Sequence, residues 1–455
     1  MNNRNNYITN SISIFILLAL FSTVILKISN ADVNFSVVFS FMFNGMIWLI
    51  LLGIELKKRA YSLELMTWLF SFLFFALAPL VQYYLKYFPW IHSRSDSILL
   101  QSNELLILWT IATWIGIHTF KIRIKRKSSP QKETDCTNIL LILTIFNIAN
   151  AIYRIKTYGM ITLMSRGIQE SDVITTPLTV LIGNIIQAIC FFTVIISIIY
   201  IKKTSKNWIV FIINLLTIIL SYFPTGMARY AIAVIYLGIL LCWYDKFKEN
   251  RTFTLLFIFS FMIILPFFSA FRSVVFLSVD IGENLLNSFG SIISNLKNND
   301  YDAYTQFTLT VEYVRDHGAG GNHILTDFLF WVPRSLWTEK AYSGSYEIAH
   351  ARGLFDNVSF PFAAIGYMDG RTLGMMLWGW FVGIFIGKFD KWYWEIKRFQ
   401  NNKFTEALYN VSVIYWFFLA RGDMFYVFPF YVAYVIAWFL IKKVSDIKLK
   451  FSNKN

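Results

Sequence analysis

The sequence predicts an all-α polytopic membrane protein of about 12 transmembrane helices, with one large outward-facing loop containing amphipathic and re-entrant helices. Three observations carry this reading. Apolar segments of about twenty residues, the length that crosses a hydrocarbon core, recur along most of the chain. At 56% hydrophobic, 18% aromatic and 15% charged, the chain has more apolar length than a soluble core can bury. The rhythm then stops once, from Phe271 to Arg371, a stretch that holds 11 of the 27 acidic residues and three of the five histidines, His317, His323 and His350.

In chain order the spans are expected at 9–28, 34–55, 64–85, 104–122, 136–155, 177–200, 208–223, 228–244, 252–271, 372–388, 405–420 and 423–441. The first has no small-residue cleavage site behind it and reads as a retained span. With a cytoplasmic N-terminus, every second connector should be cytoplasmic and basic. Those connectors, among them Lys57 to Arg59, Lys121 to Lys127, Lys246 to Arg251 and Lys388 to Lys403, join the C-terminal tail to hold about 26 of the 41 cations. This bias places both termini in the cytoplasm and the 86–103, 154–177 and 272–371 loops outside. The net charge of +14 therefore sets topology and does not point to nucleic acid. Cys136, Cys190 and Cys242 show neither paired nor metal-ligand spacing and read as small apolar residues. No repeat or appended domain is visible, so residues 1–455 form a single integral membrane domain with the 272–371 loop inside it.

The loop carries its own periodicity. In 284–298, Leu285, Leu286, Phe289, Ile292, Ile293 and Leu296 share one helical face, the pattern of a helix lying on the bilayer surface. A second helix is expected over 303–316, with Tyr304, Phe307, Val311 and Val314 on one side and a stop at Gly318-Ala-Gly320-Gly321. The apolar run 324–332 then dips toward the membrane until Pro333 breaks it.

Charged residues on this outer side are the candidates for chemistry. Arg229 follows Phe223-Pro224-Thr225-Gly226 in a tight turn, Arg272 leaves the ninth span, Arg334 lies in an aromatic patch and Arg421 occupies the last outer turn. Arginine at a membrane interface is costly and takes a partner, and its planar fork suits phosphate. Arg421 also reads as the partner of Asp423, and Arg272 as a snorkelling anchor. Asp369 and Glu347 are acid/base candidates, although a carboxylate before a span also reads as a helix cap, or in Asp369 as the partner of Arg371. The histidine spacing matches no metal motif, and neither a metal nor a cofactor is expected.

The turn with Gly226 and Arg229, the element Pro333-Arg334-Ser335-Leu336-Trp337-Thr338-Glu339-Lys340 with Gly344, and the later Gly366, Gly370 and Gly374 resemble the bacterial O-antigen polymerase (Wzy-type oligosaccharide repeat unit polymerase) family. The layout is similar over nearly the whole chain and the motifs over about thirty residues. Two positions depart: Met227 and Ala228 separate Gly226 from Arg229 where the family often has serine, and Tyr367 stands where it often has glutamate. The resemblance implies an integral-membrane glycosyltransferase of the inner membrane. It would join two undecaprenyl-diphosphate-linked glycans, donor and acceptor, at the outer face, with a chain-length regulator protein as partner. On this reading Arg229, Arg334, Asp369 and His350 are catalytic, while Arg272, Trp337, Lys340 and Tyr367 bind diphosphate or glycan, arginine standing in for a divalent ion. An O-antigen ligase differs mainly in acceptor. A flippase should carry charge at its span centres, which here are nearly free of it, and a structural scaffold is the third rival.

Overall fold

The computed structural model describes residues 2–28, 33–91, 93–119, 136–165, 177–204, 208–244, 252–260, 295–354, 358–399 and 403–452. It is about 84% helical, with no strand among the described residues. The helices are α1 (Asn2–Ile28), α2 (Phe35–Lys58), α3 (Leu63–Tyr84), α4 (Asp96–Thr119), α5 (Leu140–Tyr158), α6 (Met160–Met164), α7 (Pro177–Thr204) and α8 (Trp208–Ser221). There follow α9 (Arg229–Ile232, continued by a wide turn to Trp243), α10 (Phe253–Phe259), α11 (Ala303–His317), α12 (His323–Phe328), α13 (Gly344–Arg352), α14 (Phe362–Phe399), α15 (Lys403–Arg421) and α16 (Met424–Ser452).

Among the described residues, eight helices are long and apolar enough to cross a membrane, which makes this an all-α polytopic membrane protein. The other four expected spans fall short for separate reasons. The apolar parts of α1 and α9 are only Ile12–Ile25 and Tyr230–Trp243. Most of 252–271 lies outside the described residues. Helix α15 is buried from Phe404 to Ala420, so it can carry Glu406, Asn410 and Ser412, facing protein rather than lipid. The expected 284–298 helix also lies almost wholly outside the described residues.

Close packing of α4 on α14 dominates one side of the bundle. Gly379, Gly383 and Gly387 recur every four residues along α14, and a Cβ built on Gly383 would stand 2.2 Å from the Thr113 carbonyl oxygen and 3.0 Å from Gly116 Cα. Small residues at such a seam let backbones approach where lipid supplies no hydrophobic drive. Gly383→Val is therefore expected to lose about 1–3 kcal/mol of stability by overpacking. Thermal unfolding in detergent measures it, and an unchanged Tm would mean the two helices part freely.

The two ends of the bundle are locked by different polar clusters. At one end the Arg59 guanidinium meets three carboxylates, Glu55 at 3.1 Å, Asp390 at 3.5 Å and Glu64 at 3.8 Å. Asp390 also accepts the Leu63 and Glu64 amides at 2.9 and 3.0 Å, capping α3 from a helix more than 300 residues away. At the other end buried Asp302 accepts Trp90 Nε1 at 2.7 Å, the Ser359 amide and hydroxyl, and Arg421 Nη2 at 3.3 Å. Arg421 thus pairs with Asp302, against the expected Asp423.

The 303–352 segment is built into the bundle. Helix α11 matches the expected 303–316 and ends at Gly318, whose φ is +88°. It is not half-solvated, however, and every residue from Ala303 to Val311 is buried. Tyr304 packs on Phe41 and donates to the Leu99 carbonyl, while Phe307 packs on Phe75 and Tyr367. Two of its three threonines turn inward on their own helix, Thr308 to Thr305 O and Thr310 to Gln306 O, which makes their burial tolerable.

Candidate active site

Helix α14 begins with an elbow. At Gly370 the backbone leaves helical geometry, and Arg371 sits at φ +52° and ψ −145°, a conformation costly for any residue with a side chain. Across the elbow Gly366 and Gly374 touch, since a Cβ on Gly374 would lie 2.7 Å from the Gly366 carbonyl oxygen. The short arm 362–369 thereby presents Asp369 to the start of α12.

Asp369 does not cap its own helix and is not bonded to Arg371. Its Oδ1 accepts the His323 amide at 3.0 Å and meets His323 Nδ1 at 2.6 Å, while Oδ2 accepts the Ile324 amide at 3.0 Å. It therefore caps α12 and orients the imidazole in one stroke. On the far side of the ring Nε2 lies 3.4 Å from Glu347 Oε1, an ion-pair distance longer than an ordinary hydrogen bond. His323 is 2% exposed, Asp369 15% and Glu347 24%, so the array opens outward at Glu347. Gly321, at φ +134°, lies against the imidazole, and a Cβ there would stand 2.6 Å from Cε1.

Helix α13, which carries Glu347, is anchored in the same manner. Ser343 accepts the Tyr346 amide, and Asp423 from the α15–α16 turn accepts the Ser345 amide at 3.1 Å and the Phe425 amide at 2.9 Å. Two carboxylates, Asp369 and Asp423, thus hold the first turns of α12 and α13.

Burial of His323 pulls its pKa down, but the hydrogen bond to Asp369 and the Glu347 carboxylate outweigh this and raise it from 6.5 to about 10. Buried Asp327 lies in the same cluster. Desolvation, then Asp423, pushes its carboxyl well above the usual range, with His323 opposing. The cluster therefore sets an imidazolium beside a carboxyl whose ionisation burial opposes. The folded state keeps the His323 proton up to about pH 10, whereas the unfolded chain loses it near 6.5. This stabilisation is complete below 6.5 and is lost as pH rises through about 10. The Tm is expected to fall over that window and to fall less in His323→Gln; parallel Tm–pH curves for the two proteins would remove the imidazolium.

The other predicted residues divide. Arg334 donates to the Lys340 and Ala341 carbonyls at 2.5 and 2.9 Å, and its guanidinium lies 3.9 Å from the Tyr342 ring centre. Lys340 is 5% exposed and donates to the carbonyls of Leu329, Phe330 and Val332 at 2.8 to 3.0 Å, which fastens the turn after α12. Burial, with Arg334 nearby, lowers its pKa. Trp337 is half-buried in the 333–340 turns, its amide on Pro333 O at 3.2 Å. Tyr367 is buried on Phe307, facing away from solvent. His350 is exposed on α13 and stacks on Tyr346, which stacks on Tyr342. Arg229 begins α9, its side chain outside the described part of the structure, and Arg272 lies outside the described residues. Among the described side chains, Asp369 is thus the one predicted catalytic residue in the cluster, joined by Glu347, while His323, Asp327 and Asp423 were not singled out as site residues.

Set against protein-family models, curated proteins and solved structures, the chain matches none. The chemistry of the site therefore rests on its own geometry. Glu347, outermost in the array and backed by an imidazolium, is placed to take a proton from a bound hydroxyl, and His323 with Asp369 stabilises the arrangement behind it. Arg371 is exposed beside the elbow and adds a permanent positive charge.

Proposed function

We propose that the chain polymerises undecaprenyl-diphosphate-linked oligosaccharide repeat units into O-antigen or capsule-like polysaccharide at the outer face of the bacterial inner membrane. The observation that carries this reading is the Glu347–His323–Asp369 array, held where a membrane-helix elbow meets the outer segment. In the reaction a hydroxyl oxygen of the incoming unit bonds to the anomeric carbon of the growing chain. The bond from that carbon to the diphosphate oxygen breaks, the lipid diphosphate leaves with the electron pair, and Glu347 takes the hydroxyl proton. Arg334, Arg229 and Arg272, with Arg371 beside the elbow, supply the positive charge that receives the leaving group. The full complement of twelve spans, cytoplasmic termini and a chain-length regulator partner belong to this proposal.

Deletion of the chain from its cell tests the reading against its rivals. A polymerase deletion leaves surface lipid bearing a single repeat unit. Loss of all surface glycan with lipid-linked polymer still made would point to a ligase. Loss with single units trapped on the cytoplasmic side would point to a flippase.

A further inference from the structure

Between α14, α15 and α16 lies a cavity of about 500 Å³ whose walls are almost wholly apolar. Rings dominate the lining, among them Phe328, Phe362, Trp378, Phe385, Trp416 and Phe428. We infer that this cavity seats the hydrocarbon chain of the isoprenoid carrier on which the glycan travels, an inference that rests on the function proposed above. Three features of the cavity converge on that occupant.

Its size and polarity come first. Protein interiors are packed to crystal density, and an apolar void of this size admits hydrocarbon in preference to water. Its position is the second feature. Phe381 and Phe385, which line it, are 59% and 41% exposed on the outer surface of α14, and Val435 of α16 is 36% exposed, so it opens sideways toward lipid. Its outer end is the third. Phe328 follows Asp327 on the helix that bears His323, and Met424 follows Asp423, so the cavity ends directly beneath the polar cluster. A single-chain amphiphile seated there has its head group at the site and its tail in the cavity.

The walls select among tails. Lipid is as apolar as the cavity, so a chain that leaves the bilayer gains only what tighter dispersion packing provides. Flat, rigid rings reward a methyl-branched unsaturated chain, which offers more atoms per unit length than a straight acyl chain.

A diazirine-bearing polyprenyl phosphate, photolysed with the purified full-length protein in phospholipid nanodiscs, tests this, with a diazirine phosphatidylethanolamine as the comparison probe. Label from the polyprenyl probe is expected on Phe385 and neighbouring lining residues. It should drop about tenfold, one order of magnitude, in Val382→Trp and in Val435→Trp, which fill the cavity from two walls. Ile152→Trp, at a position 62% exposed on α5, which contributes nothing to the cavity wall, should leave it unchanged. Label spread evenly over the lipid-facing surface would overturn the inference. So would equal cavity labelling by the phospholipid probe that excess polyprenyl phosphate does not displace, which marks a bulk-lipid niche. Cavity labelling by the polyprenyl probe in a protein that makes no polymer would uphold the carrier site while removing the polymerase reading.

Discussion

Glu347→Gln is expected to slow glycan polymerisation by about 10²–10⁴-fold with the protein still folded, because glutamine keeps the size of the side chain and loses the proton acceptor. Glu347 makes no helix cap, and its contact with His323, at 3.4 Å, is long. Asp369→Asn should reduce the rate as well, but with a second signature. Asp369 accepts two backbone amides and the imidazole, so this variant also loosens α12, at a cost of about 1 kcal/mol for the cap alone. A larger fall in Tm with Asp369→Asn than with Glu347→Gln separates the positioning role from the proton acceptor. His350→Ala should change the rate little, since His350 is exposed and, among the described residues, stacks on Tyr346. Wild-type turnover in Glu347→Gln would remove it from the chemistry.

The largest loss of stability is expected from Arg59→Leu, at about 3–5 kcal/mol. One guanidinium there faces Glu55, Glu64 and Asp390, of which Glu55 and Asp390 are fully buried. Removing it leaves three carboxylates that the interior cannot solvate, and Lys58, 3.8 Å from Glu55 and half exposed, is a weak substitute. The deficit should shrink as pH falls, because a protonated carboxyl needs no counter-charge. Chemical unfolding in detergent at neutral and acidic pH measures both effects, and a variant as stable as wild type at neutral pH would mean the cluster is not held by Arg59.

Hydropathy reported the surfaces that face lipid and was blind to those that face protein. The span at 136–155 was legible because α5 shows Leu141, Ile142 and Ile145 outward at 55% exposure or more. The start of α4 at Asp96 was missed because Gln101 to Glu104 interrupts the apolar run. Within it, Asn103 is buried, its side chain bonded to Ser40 and Tyr304. The glycine stop after α11 was legible, since a positive φ has a residue signature, whereas the elbow at Arg371 was not, since arginine carries none. The site was half legible for a related reason. Asp369 and Glu347 stood out as outer carboxylates, but His323 reads as a lone loop histidine until folding brings it across 46 residues to Asp369. Lys340 shows the converse, a cation in a suggestive motif whose ammonium holds three backbone carbonyls.

The central claim is tested most directly by the purified protein in proteoliposomes, supplied with undecaprenyl-diphosphate-linked oligosaccharide units and nothing else. The account predicts a ladder of glycans in whole multiples of the unit, with one free lipid diphosphate released for each linkage made. Single units that remain intact and lipid-linked, under conditions where the protein stays folded and binds the carrier, would contradict it.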